Sequence, residues 1–150
     1  MKNLRRFVTV LFAVFVMPMT MLAQEQAPKI AKSSVEIINK STNFAMGVTG
    51  ERQLRDAFEM YEKFKNSGVE FDNFEIVIWS GVVKDLKKGS ELAQFIETQM
   101  EEGLKVSVCQ IALDYFEMSA QDIPQKMQVV PDAYVRLFEL QALGYNLIVI

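Results

Sequence analysis

Gly103-Leu-Lys-Val-Ser-Val-Cys-Gln-Ile-Ala-Leu-Asp-Tyr-Phe-Glu-Met-Ser-Ala-Gln-Asp-Ile-Pro124 is the stretch on which the fold turns. Val106 and Val108 alternate with Lys105 and Ser107, the period of a strand. Beyond them the spacing becomes helical, with Ile111, Tyr115 and Met118 at i, i+4 and i+7. Cys109, the single cysteine of the chain, sits where one period gives way to the other. That places its thiol at the carboxyl end of a strand and the amino end of a helix. Unpaired backbone N–H groups and the helix dipole there favour an anion, and a thiolate so placed is a usable nucleophile.

Working outward, residues 24–34 read as a polar linker. Val35, Ile37 and Ile38 open a first strand that ends near residues 40–43. Residues 44–50, with Gly47 and Gly50, read as a loop; their spacing lacks both GxGxxG and the Walker lysine, so it is not a phosphate loop. Residues 51–67 form an amphipathic helix, with Leu54, Ala57, Phe58, Tyr61 and Phe64 on its buried stripe and Gly68 as its stop. Phe74, Ile76, Val77 and Ile78 form a nearly continuous apolar run, as in a strand covered on both sides. It ends in Trp79-Ser80-Gly81. Ser90 caps a helix carrying Leu92, Phe95, Ile96 and Met100, which Gly103 closes. After the Cys109 strand and helix come a fourth strand at residues 127–130 and a helix whose first turn suits Pro131. Tyr134, Val135, Phe138 and Ala142 supply that helix's inner face, Gly144 closes it, and residues 145–150 make a last apolar strand.

Strands and helices alternate five times, which points to an α/β domain with a mainly parallel five-stranded sheet between two helical layers. Ligands in such sheets sit beyond the carboxyl ends of the strands. Cys109, Gln110, Trp79, Ser80, Gly81, the loop after Asn43, and Pro131 are therefore expected along one rim, beside a shallow cleft.

The first residues stand apart from this domain. Lys2, Arg5 and Arg6 precede an almost wholly apolar segment, residues 7–23, and Ala23-Gln24 offers a cleavage point. This is the layout of a secretory leader (signal peptide), with export to the periplasm as the expectation. An uncleaved membrane anchor is the competing reading, since this seventeen-residue segment approaches the length of a bilayer span. Residues 24–34 then link the leader to a domain at residues 35–150, large enough for one sizeable core.

Charge and composition exclude several classes. The whole chain has sixteen Lys and Arg against nineteen acids, a net charge of −3. Without the three basic residues of the leader the balance is −6. That sign does not suit a nucleic-acid binder, which needs a basic surface. No histidine is present, so there is no Cys-His or Ser-His dyad and no His-ligated metal. No cofactor or metal is expected. One cysteine forms no internal disulfide; outside the cytoplasm an unpaired thiol is buried and inert, joined to another chain, or reactive.

Taken in order, Ile76-Val-Ile-Trp-Ser-Gly81-Val-Val-Lys-Asp-Leu86, Val108-Cys109, Asp122-Ile123-Pro124, Val129-Val130-Pro131 and Leu140-Gln-Ala-Leu-Gly-Tyr145 resemble the DsrE/DsrF/TusD-like (DsrE family) sulfur-relay proteins. The resemblance runs over the domain and is densest after Gly103. It implies a three-layer α/β/α (DsrEFH-like) domain that assembles as a dimer, trimer or hexamer. It also implies that Cys109 carries sulfane sulfur as a persulfide, a sulfurtransferase-like sulfur carrier. Its partners would be a donor or acceptor protein or a small sulfane-sulfur compound. The alternative is a non-catalytic oligomeric scaffold or small-ligand-binding domain with a buried structural cysteine, since free cysteine is among the most buried residue types. In that case Trp79 is packing at the sheet rim. The apolar last strand and helix faces favour self-association in both cases.

Overall fold

The computed structural model describes residues 29–150. The expected leader, residues 1–23, lies outside the described residues. Among those described, no helix is long and apolar enough to cross a membrane.

Five strands form one wholly parallel sheet: β1 (Asn43–Val48), β2 (Asn73–Ile78), β3 (Leu104–Cys109), β4 (Gln128–Val130) and β5 (Asn146–Val149), in the order β4-β3-β2-β1-β5. The helices are α1 (Lys32–Ile38), α2 (Glu51–Ser67), α3 (Glu91–Gln99), α4 (Gln110–Tyr115) and α5 (Ala133–Ala142), and a 3₁₀ segment spans Ser80–Leu86. The chain steps in one direction from β1 to β4 and then crosses back to place β5 beside β1. With right-handed crossovers, that reversal sends the last helix to the opposite face from the earlier ones. The contacts agree. Phe64 of α2 stacks edge-on against Phe44 and Phe74, Tyr61 against Phe74, and Phe58 against Phe95 of α3. On the other face, Arg136 of α5 reaches Glu75, the strand neighbour of Phe74.

Several boundaries follow from local chemistry. Gly68 ends α2 in the left-handed conformation, φ +80°, with its N–H on the Phe64 carbonyl. Ser90 Oγ accepts from Ala93 N at 3.1 Å and caps α3. Asp132 caps α5 by accepting from Tyr134 N at 2.7 Å and Val135 N at 3.4 Å. Pro131 therefore precedes the cap rather than occupying the first turn.

The start of the domain corrects the sequence reading. Val35, Ile37 and Ile38 lie in helix α1, not in a strand. Val35 and Ile38, three residues apart, pack against the core, while Ile37 is 65% exposed. Residues 44–48, expected within a loop, belong to β1, buried from Phe44 to Val48 and flanked by β2 and β5. Its glycine reflects packing. A Cβ on Gly47 would lie 2.9 Å from two ring atoms of Trp79 and 3.0 Å from Val149 Cγ2. Only hydrogen fits there.

Candidate functional site

Residues of alternating parity along a strand point to opposite faces, so Ser107 and Cys109 share the α5 face with Glu75. Cys109 closes β3 opposite Val130 and is the N-cap residue of α4, with extended φ −69° and ψ 122°. Its thiol is free and buried, at 5% exposure. It lies at the bottom of an open cleft of about 600 Å³. Trp79, Ser80 and Gly81, following β2, form one wall; Ile111, Ala112, Tyr115 and Phe116 form a second; Asp132, Ala133 and Tyr134 complete it.

The walls are aromatic and differ in firmness. Trp79 is buried over Gly47, and its ring lies 5.7 Å from that of Tyr134 at 60°. Tyr115 and Phe116 meet edge to face at 5.0 Å. Tyr115, Ile111 and Tyr134 are exposed, so the floor is packed while the lip is open to solvent. Ser80 turns the chain out of β2 with φ +68°, a left-handed conformation that a non-glycine residue adopts at a cost of about 1–2 kcal/mol. Glu117 ends the α4 segment in the same way, at φ +54°.

Not every expected rim residue belongs to this cleft. Asn43 is at the amino end of β1, bonded to Asn73 at 2.8 Å, and so lies at the opposite end of the strands from Cys109. The displaced first strand had put it at the wrong end. Gln110 follows Cys109 but does not line the cleft; its amide donates to Asp114 Oδ1 at 2.6 Å along the outside of α4. Pro131 lines a separate recess of about 350 Å³ with Gln128, Arg136 and Glu139. Asp122 accepts from Ser119 N and Oγ, both at 2.8 Å, and so closes a turn.

One cluster was not anticipated from the sequence. Glu75 is fully buried in the middle of the sheet. Arg136 grips it with two bonds, Nε to Oε1 at 2.9 Å and Nη2 to Oε2 at 2.8 Å. Ser107 Oγ donates to the same carboxylate at 2.6 Å, and Gln128 Nε2 donates to Ser107 Oγ at 2.6 Å. Burial alone pushes the Glu75 carboxyl up, but the bonds from Arg136 and Ser107 together outweigh it and hold the carboxyl below its usual range. The available signal was a lone acid inside an apolar strand. Such a residue requires a partner. Among the described residues no group of three or more Cys, Asp or Glu side chains converges as metal ligands would.

The architecture is shared with proteins of unknown function. MTH1491 from Methanobacterium thermoautotrophicum is similar at a TM-score of 0.66 and 17% identity, over 73% of this chain and 100% of that one. BT1422 from Bacteroides thetaiotaomicron, also a conserved protein of unknown function, is similar at 0.53 and 17% identity, over 71% and 94%. At that identity the likeness is one of fold. No family model matches the chain, and no curated protein does.

Proposed function

We propose that this protein is a DsrE-like sulfur carrier in which Cys109 holds sulfane sulfur as a persulfide and yields it to an acceptor thiol. The observation that carries this reading is the position of the only thiol, at a strand end and at the floor of a solvent-open cleft. The step is an exchange without net oxidation. The Cys109 thiolate attacks the outer sulfur of R–S–SH, the S–S bond of the donor breaks, R–S⁻ leaves, and Cys109 becomes Cys–S–SH. An acceptor thiolate then removes that sulfur and restores the Cys109 thiolate. Thiolate fraction, leaving group and access set the rate. The order of motifs around Cys109 supports the family assignment, and the basic-then-apolar residues 1–23 support export to the periplasm. Incubating the full chain with a hydropersulfide and weighing it intact tests the reading. It predicts a gain of one sulfur, abolished in Cys109→Ser; retention of the gain in that variant would overturn it.

A second reading rests on the 5% exposure of Cys109: a scaffold or ligand-binding domain in which the thiol is packing. It predicts that Cys109 resists alkylation until the protein is denatured, whereas the carrier labels in the native state.

Self-association belongs to either reading. Val135, Phe138 and Leu143 on and after α5, and Ile148 and Val149 on the adjacent edge strand β5, are all exposed. Among the described residues, β5 carries no charge or proline that would blunt its free edge. These features support a homo-oligomer built through this side.

A further inference from the structure

The lining of the cleft bears on which sulfur compounds reach Cys109, an inference that rests on the carrier reading. Among the described residues, no Lys or Arg lines the cleft. Its single formal charge is the Asp132 carboxylate, which is committed to capping α5. The remaining surface is Trp79, Ile111, Tyr115, Phe116 and Tyr134 with small residues between them. An anionic donor entering this space would give up water without gaining a cation, next to a carboxylate of the same sign. A flat apolar body would find the exposed rings of Tyr115 and Tyr134 beside the buried Trp79, surfaces on which aromatic groups pack by offset stacking or edge to face.

We propose that this cleft selects sulfane donors whose sulfur is attached to an uncharged apolar or aromatic body, and that it discriminates against anionic donors. The transfer is balanced as before: Cys109–S⁻ + R–S–SH gives Cys109–S–SH + R–S⁻, with R the part held against Tyr134, Tyr115 and Trp79 on the cleft wall. For comparison, thiosulfate would transfer sulfur to give Cys109–S–S⁻ and leave as sulfite. Both its entering and leaving groups are dianions in a site without a positive charge.

The test uses a pair of donors of the same reaction type, benzyl hydropersulfide and 4-carboxybenzyl hydropersulfide, with the full chain. Sulfur gain at Cys109 is followed by intact mass, and each rate is divided by that of the same donor with a small free thiol. The uncharged donor is expected to react about tenfold faster after this correction, the scale of discrimination that an apolar pocket achieves. Tyr134 is 62% exposed, so its replacement is expected to leave the fold intact. Tyr134→Lys should narrow or reverse the ratio by supplying the missing cation, and Tyr134→Ala should slow only the uncharged donor. Equal corrected rates, or a preference for the carboxylate, would overturn the selectivity and leave the carrier reading intact. Absence of sulfur gain from both donors would overturn the carrier reading, and the selectivity with it.

Discussion

Trp79 stands on Gly47 and forms the firm wall beside Cys109, so a change beneath the ring reaches the cleft. A methyl at position 47 would meet ring atoms at 2.9 Å, closer than a Cβ contact allows, and the indole is too rigid to yield without turning. Gly47→Ala is expected to destabilise the fold by about 1–3 kcal/mol through overpacking. It should also shift the emission of Trp79, the only tryptophan in the chain. An unshifted spectrum and an unchanged urea midpoint would contradict this packing. The same residue explains why the first strand was hard to read. A glycine in Phe44-Ala-Met-Gly-Val48 is a turn signal in isolation, and only the indole from a distant segment makes it a strand residue. Cys109, by contrast, was placed by a change of period in its own neighbours, which is a local property.

The helices and strands that were legible are those whose signals lie within a single element. Helix α2 matches its sequence boundaries because its stripe, its stop glycine and its length agree. The 3₁₀ segment after β2 was not foreseen, since its Val82, Val83 and Leu86 suit a strand equally well. Helix α5 was found, but its inner face was misassigned. Ala133, Leu137 and Leu140 are buried, while Tyr134, Val135 and Phe138 face outward. Arg136 lies on the same inner face, with its guanidinium on Glu75. Removing one partner of such a buried pair leaves the other uncompensated, so Glu75→Ala is expected to cost about 3–5 kcal/mol. The pH dependence has a definite sign. The carboxyl titrates below its ordinary value of 4.5, so its stabilisation is complete above that value and is lost as the pH falls through the lower folded value. Urea midpoints of the wild type and Glu75→Gln should therefore differ at neutral pH and converge in acid. A constant difference down through the carboxylate range would contradict the pairing.

Over the whole molecule, one face of the sheet is covered by α2 and α3, and the other mainly by α5. Parallel sheets are normally buried on both faces, yet β5 and the outer side of α5 leave Phe138 at 71% exposure and Val149 at 53%. Pairing two copies across this side would bury those groups, and a lysine there would oppose it. Phe138→Lys combined with Val135→Lys, both on the exposed side of α5, is expected to convert the proposed assembly to monomer in sedimentation equilibrium, with unchanged circular dichroism. A wild-type protein that sediments as a monomer would contradict the assembly. The overall architecture was legible because alternation of elements is a global pattern that survives local errors. One misplaced strand changed which residue lay at which end of the sheet, and so moved Asn43 away from the site, without altering the layers. At the same scale, the cleft is built by chain segments that follow three neighbouring strands. No single segment announces it.

Cys109 as a way-station for sulfur is the proposal from which the selectivity of the cleft follows. Loading the full chain with a hydropersulfide labelled with heavy sulfur, removing excess donor and adding an acceptor thiol follows the atom in both directions. The labelled sulfur should first appear on the peptide containing Cys109 and then on the acceptor, with Cys109→Ser neither loaded nor active in delivery. Label that never reaches Cys109 in the native protein, or that stays there in the presence of acceptor, would contradict it.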